Sequence, residues 1–263
     1  MGLFESIGLA WIAMASMMAA LWYVQFRRHN AGIVDVAWSF GTGICAVWFA
    51  ANADGDPVRR TITGVLAAVW ALRLGGMLWR RVASEEEDGR YRILRDKWGS
   101  KTQPLMFGFF QIQAFWAVLF ALPMLAAAAN PSPAPSALDF AAIGVWLFGV
   151  GGETIADRQL MAFRTDPANQ GKVCKRGMWA WSRHPNYFFE WLHWGSYVLL
   201  AASGGLWWLA VAGMIVMLVF LTKVTGIPLT EARSIQSRDD AYREYQRTTS
   251  PFIPLPPKEV ARG

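Results

Sequence analysis

Gly177–Tyr197 reads GMWAWSRHPNYFFEWLHWGSY, and where its polar residues fall decides what kind of fold the chain can adopt. A basic, tryptophan-rich approach (Lys172, Lys175, Arg176, Trp179, Trp181, Arg183) turns at His184-Pro185-Asn186 into an apolar run. Pro185 suits the first turn of a helix, where its missing N–H goes unused. From there Asn186, Glu190, His193 and Tyr197 recur at i, i+4, i+7 and i+11. A helix stacks these four on one face and leaves Phe188, Phe189, Leu192 and Val198 elsewhere around it. Inside a bilayer a carboxylate and an imidazole are costly, and so mark function by default. The same face would also serve as a polar seam joining two helices.

The surrounding composition puts that helix in a membrane. Of 263 residues 54% are hydrophobic and 17% charged, where a soluble domain carries about 25% charged residues. Two cysteines, Cys45 in an apolar run and Cys174 in a basic loop, give neither a disulfide framework nor a cysteine metal site. Glu190-x-x-His193 copies the spacing of di-iron bundles, but no second copy exists and the chain has only three histidines, so no metal is expected. The excess of +6 lies in loops between apolar spans. It reads as topology and not as a nucleic-acid footprint.

Seven apolar spans, near 6–25, 31–52, 60–79, 104–129, 137–162, 185–202 and 204–225, approach the ~20 residues a crossing needs. The expected fold is all-α: a polytopic integral membrane protein of seven transmembrane helices with a cytoplasmic C-terminal helix. One domain covers 1–263, with substrate-side helices in 1–129 and a cofactor-binding half in 137–254. The first span lacks a basic leader and a small-residue cleavage site, and so reads as a retained helix. Lys plus Arg number seven in the third loop (Arg80, Arg81, Arg90, Arg92, Arg95, Lys97, Lys101), none in Asn130–Ser136, five in the fifth loop and seven in the tail. Positive charge thus alternates sides, which places the N-terminus outside and the tail in the cytoplasm. The second loop is ambiguous, because Asp54 and Asp56 accompany Arg59 and Arg60.

Charges inside or beside the spans are the candidate functional groups. Asp35 falls a turn inside the second span, and Arg73 of the third is its natural partner, for chemistry or as a structural ion pair. The third loop, with mixed signs at helical spacing and Trp98, reads as an amphipathic surface helix. A lipid role and an anionic-ligand role both stay open for its arginines. The fifth span carries Gly144, Gly149, Gly151 and Gly152, which let helices approach closely. It ends in Glu153, Asp157 and Arg164 on one face. Arg73, Arg164, Lys172, Arg183, His184, Asn186 and Arg238, gathered with Asp157, offer cationic and amide donors for an anionic, phosphate-rich cofactor. No glycine-rich nucleotide loop is present. A cavity rich in Trp and Phe would suit a lipid-like substrate.

Glu153-x-x-x-Asp157-x-Gln159, Phe163-Arg164, Gly177-Met-Trp-Ala-Trp-Ser-Arg-His-Pro-Asn-Tyr and Glu190 resemble the steroid 5α-reductase C-terminal domain and the bacterial membrane proteins related to it. Gly226-Ile-Pro-Leu-x-Glu231 and Tyr242-Arg-Glu-Tyr-Gln-x-x-Thr fit the same relatives. The resemblance covers most of the chain and is strongest over 145–254. It implies a seven-helix reductase of an inner membrane, most simply a monomer, in which NADPH delivers hydride to the β-carbon of an enone in a steroid or other lipid. Cofactor contacts carried over are Asp157, Arg164, Lys172, Asn186 and Tyr187, with Glu190 beneath them and Glu231, Arg238 and Tyr242 from the tail. The family polarises the carbonyl with a Glu on the second helix and a Tyr on the third. Here the second span offers Asp35, and the third offers no Tyr. An Asp in an apolar cleft could replace that acid. Isoprenylcysteine and phospholipid methyltransferases share a related Arg-His-Pro-x-Tyr segment and bind S-adenosylmethionine there, which is the alternative reading.

Overall fold

The computed structural model describes residues 2–84 and 86–258; Glu85 of the third loop and Arg262 of the tail lie outside them. Among the described residues the chain is helical, with a single isolated β-bridge and no named strand. The helices are α1 (Leu3–Arg28), α2 (Ile33–Asn52), α3 (Pro57–Ser84), α4 (Gly89–Trp98), α5 (Thr102–Ala128), α6 (Ala137–Thr165), α7 (Pro185–Ala201), α8 (Trp207–Val219) and α9 (Ile227–Thr248). Six helical stretches are long and apolar enough to cross a membrane, and they contain α1, α2, α3, α5, α6 and α8. α7 stands where the sixth crossing is expected and has 17 residues, about 26 Å at the ~1.5 Å rise of a helix. α8 runs into a π-turn at Phe220–Val224 before the polar α9.

Two compact units result: Met1–Asp139 with Leu200–Gly213, and Phe140–Leu199 with Met214–Gly263. Between membrane helices, apolar burial gives little drive, so close packing and buried hydrogen bonds decide association. In the first unit α2 meets α3 through Gly43, where an added Cβ would stand 2.2 Å from that of Ala71. Met14, Met18, Phe49, Tyr91, Met106 and Phe110 are among its buried core side chains. Trp38 packs edge-on to Trp70 and Phe120, with centroids 6.2 and 5.8 Å away.

At the end of this unit that carries the second loop, Arg59 is clamped. Its Nε and Nη2 donate to the Asp139 carboxylate at 2.7 and 2.9 Å, and Nη1 donates to the Ser132 carbonyl at 2.6 Å. Arg60 donates to the carbonyls of Ala50 and Ala51 at 2.8 and 2.5 Å, capping the C-terminus of α2. A cation there satisfies orphan carbonyls and the helix dipole together.

In the second unit α6 packs on α7 through two of the four glycines noted in its sequence. A Cβ on Gly149 would lie 2.7 Å from that of His193, and one on Gly152 2.5 Å from the Phe189 ring. Gly144 and Gly151 have nothing within 4 Å of such an atom. α9 is broken at Asp239 (φ 30°), which divides it into two helical pieces.

Candidate functional site

Gly177–Ala180 forms a 3-10 turn, and Ser182 then pairs with Ser250 in a parallel bridge before Pro185 opens α7. The Arg183 amide donates to the Ser250 carbonyl (2.8 Å), Ser182 Oγ to the Phe252 carbonyl (2.8 Å), and the Leu255 amide to the Trp181 carbonyl (2.9 Å). The proline-rich tail therefore runs beside the motif. Tyr245 of α9 donates its hydroxyl to the carbonyls of Trp179 and Ser182.

Glu231 is the hub of this arrangement. Its Oε1 accepts from Arg183 Nε at 2.6 Å, from His184 Nε2 at 3.3 Å and from the Tyr242 hydroxyl at 3.4 Å. Its Oε2 accepts from Gln246 Nε2 at 2.7 Å. Arg183 Nη1 donates to the carbonyls of Gln246 and Thr249, at 3.0 and 2.6 Å. Burial opposes charge on Glu231, but hydrogen bonds from His184, Arg183 and Gln246 outweigh it and hold the carboxyl down to about 2. Burial lowers the His184 imidazole below its ordinary range. The pair is thus a neutral imidazole, assigned the tautomer with its proton on Nε2, donating to a carboxylate. The ring lies parallel to Tyr187, 5.3 Å away, and the Tyr187 hydroxyl sits 3.2 Å from Thr230 Oγ1. Arg183, His184, Glu231 and Tyr242, each expected to touch a cofactor, here bind one another.

A second group faces differently. Asn186 Nδ2 donates to Asp157 Oδ1 across 3.2 Å, which joins α7 to α6. Asn186 Oδ1 is buried and accepts no hydrogen bond among the described residues. Arg164 and Lys172 are exposed, and Arg238 Nε donates to the Lys172 carbonyl at 3.0 Å. Glu190 is buried, accepting from Trp194 Nε1 at 3.3 Å, with His193 Nδ1 3.6 Å from its other oxygen. His193 and Tyr197 are fully buried. The face read from the sequence thus exists, and its lower part is also packed as a seam.

In the first unit Asp35 lies in the first turn of α2, where the helix dipole favours a carboxylate. Its partners are on α4: Arg90 Nη2 donates to Oδ2 at 2.8 Å and the Tyr91 hydroxyl to Oδ1 at 2.8 Å. The expected partner, Arg73 on α3, gives way to Arg90 because the Arg90 and Tyr91 side chains of α4 reach the first turn of α2. Tyr91 is buried, and burial together with the Asp35 charge raises its hydroxyl well above the ordinary range, which keeps it a donor. Sequence reading passed over Tyr91. The available signal was the period Tyr91, Leu94, Trp98, an inward stripe inside a run of charges.

The family model described as "Protein of unknown function (DUF1295)" matches residues 21–249. An uncharacterized protein of Schizosaccharomyces pombe, C594.04c, is 27% identical over 267 residues, which cover 89% of this chain and 75% of the relative. No solved structure matches the chain.

Proposed function

From the premise that the chain belongs to the DUF1295 family, we propose that it is an NADPH-dependent membrane reductase acting on an activated C=C bond of a steroid-like or other lipid substrate. The observation that carries this reading is Asn186: a half-buried amide whose Nδ2 is fixed by Asp157 while its buried Oδ1 accepts nothing among the described residues. Buried acceptors rarely stay unpaired. This one belongs to the motif whose resemblance implies a nicotinamide cofactor, and it fits an N–H or O–H donor of such a group. Exposed Arg164 and Lys172 suit its phosphates.

The cofactor, when bound, supplies the hydride. The chain's own residues orient and polarise. Glu231 and Arg183 hold the turn that presents Asn186 and Tyr187. Asp35 helps organise polarisation of the substrate carbonyl, and the Arg90 and Tyr91 side chains that donate to it fix its carboxylate. The finer topology belongs to the same reading: seven crossings with α7 as the sixth, an outward N-terminus, and a cytoplasmic tail, in a bacterial inner membrane.

The test is a titration of NADPH and S-adenosylmethionine against detergent-solubilised protein. NADPH should bind, and Asn186→Ala should weaken it by at least the ~1 kcal/mol of a net hydrogen bond. Unchanged affinity in that variant removes Asn186 from the site. Binding of S-adenosylmethionine in place of NADPH replaces the reductase with a methyltransferase.

A further inference from the structure

The third loop carries seven basic residues between Arg80 and Lys101, and the structure sorts them into two populations. Arg81 pairs with Asp88. Arg90 reaches Asp35 at 2.8 Å and Asp88 at 3.2 Å. Arg95 forks onto Glu87 at 3.0 Å and donates to Gln25 Oε1 at 2.9 Å. Three cations are thus met by three carboxylates on the inner side of α4, where they tie it to α1, α2 and the end of α3. Their charge is spent.

The outer side is different. Arg80, Arg92, Lys97 and Lys101 are exposed, and among the described residues Arg92 meets a carboxylate only at solvent-facing Glu86, 3.3 Å away. Among them Ile93 is 57% exposed, on a helix that otherwise turns Tyr91, Leu94 and Trp98 inward. The adjoining helix ends match this pattern. α1 finishes with exposed Tyr23 and Phe26 ahead of exposed Arg27 and Arg28, and α3 sets exposed Trp79 beside Arg80. Aromatic side chains followed by cations, at the ends of apolar helices, have the chemistry of a headgroup boundary. An apolar side chain flanked by basic ones on a surface helix has the same chemistry.

We propose that the outer face of α4, with the flanking ends of α1 and α3, is a docking surface for anionic phospholipid headgroups of the adjoining leaflet. Ile93 enters the boundary region while Arg80, Arg92 and Lys97 hold phosphates. This surface lies outside the residues assigned to cofactor or substrate, so it stands or falls independently of the reductase reading.

The experiment uses the full chain with a nitroxide on Ile93→Cys. Both native cysteines are buried, so labelling should be selective. In phosphatidylcholine nanodiscs containing phosphatidylglycerol, the label should lose access to a water-soluble nickel chelate and gain access to oxygen, relative to phosphatidylcholine alone. The triple variant Arg80→Gln/Arg92→Gln/Lys97→Gln should melt at the wild-type temperature yet retain several-fold less phosphatidylglycerol by native mass spectrometry. A label equally open to the chelate in both lipids overturns the proposal, as does undiminished phosphatidylglycerol on the triple variant. If inorganic phosphate protects the label as well as the lipid does, the surface binds free anions and the lipid assignment fails.

Discussion

At the scale of single residues, the most informative carboxylates are Asp35 and Glu231, because each is engaged by a cation and a phenol. For Glu231 the energetics favour a scaffold. Arg183 is buried, and removing one member of a buried pair costs about 3–5 kcal/mol. Glu231→Ala should therefore lower thermal stability sharply, and Arg183→Met/Glu231→Leu should recover much of it in the same melting assay. A double variant no better than the single would mean the carboxylate does more than balance a charge. The pH dependence follows from the same groups. His184 sits below its ordinary 6.5 and Glu231 below its ordinary 4.5, at about 2, so the unfolded chain binds protons more readily at both. Stability should be full above about pH 6.5 and fall with acid, first through histidine and then through Glu231. His184→Gln should flatten only the upper limb, and a wild-type melting temperature indifferent to pH across that range would contradict the assignment. Asp35 separates two roles. As an organiser of carbonyl polarisation, Asp35→Asn should keep its fold and NADPH binding but lose about a hundredfold in turnover of an enone such as a 3-oxo-4-ene steroid. As an anchor of α4 alone, it should lose stability and leave turnover per folded molecule unchanged. Asp35 was legible as a special residue because a charge beside an apolar run is rare. Its partners were not, since Arg90 and Tyr91 lie 55 and 56 residues away and look like members of a solvated charge run.

At the scale of elements, small residues set where helices touch. Gly149→Leu and Gly152→Val should each destabilise by the ~1–3 kcal/mol of overpacking, because His193 and Phe189 occupy the space a side chain would need. Gly144→Ala and Gly151→Ala, which meet nothing, should melt as the wild type does. Equal sensitivity at all four positions would put the α6–α7 contact elsewhere. The apolar spans could be read from sequence because a crossing demands about twenty apolar residues in a row. Which glycines make contacts could not, since all four sit in one span and only the partner helix distinguishes them. α9 shows the same limit. Its polar composition gave a surface helix, but Glu231, Tyr242, Tyr245 and Gln246 turn toward the Arg183-His184 turn, a pairing across more than forty residues that periodicity does not encode.

At the scale of the whole molecule, the orientation in the membrane rests on which cations count. The sequence left the second loop undecided, since Arg59 and Arg60 sit beside Asp54 and Asp56. The structure gives both arginines local work. Arg59 is 3% exposed and locked to Asp139, itself 1% exposed, while Arg60 caps α2. Orientation follows lysines and arginines that stay free on one side. A cation neutralised by a buried carboxylate, and another spent on a helix terminus, weigh little against the exposed Arg80, Arg92 and Lys97 of the next loop. On the proposed topology the loop at 53–56 sits outside along with Asn130–Ser136, and the third loop and tail sit in the cytoplasm. Cysteines introduced at Ser100 and Ser237, both exposed, should resist an impermeant maleimide applied to intact cells and react once the cells are opened. Gly205→Cys, exposed and with open space around its Cβ, should react from outside without permeabilisation. Ready labelling at Ser100 or Ser237 in intact cells would reverse the orientation and move the basic loop, the Asn186 amide and the proposed lipid-docking face away from the cytoplasmic NADPH pool. Protection at Gly205 together with protection at the other two would instead remove two crossings, with α7, 17 residues long, and α8, 13 residues long, turning back as a hairpin.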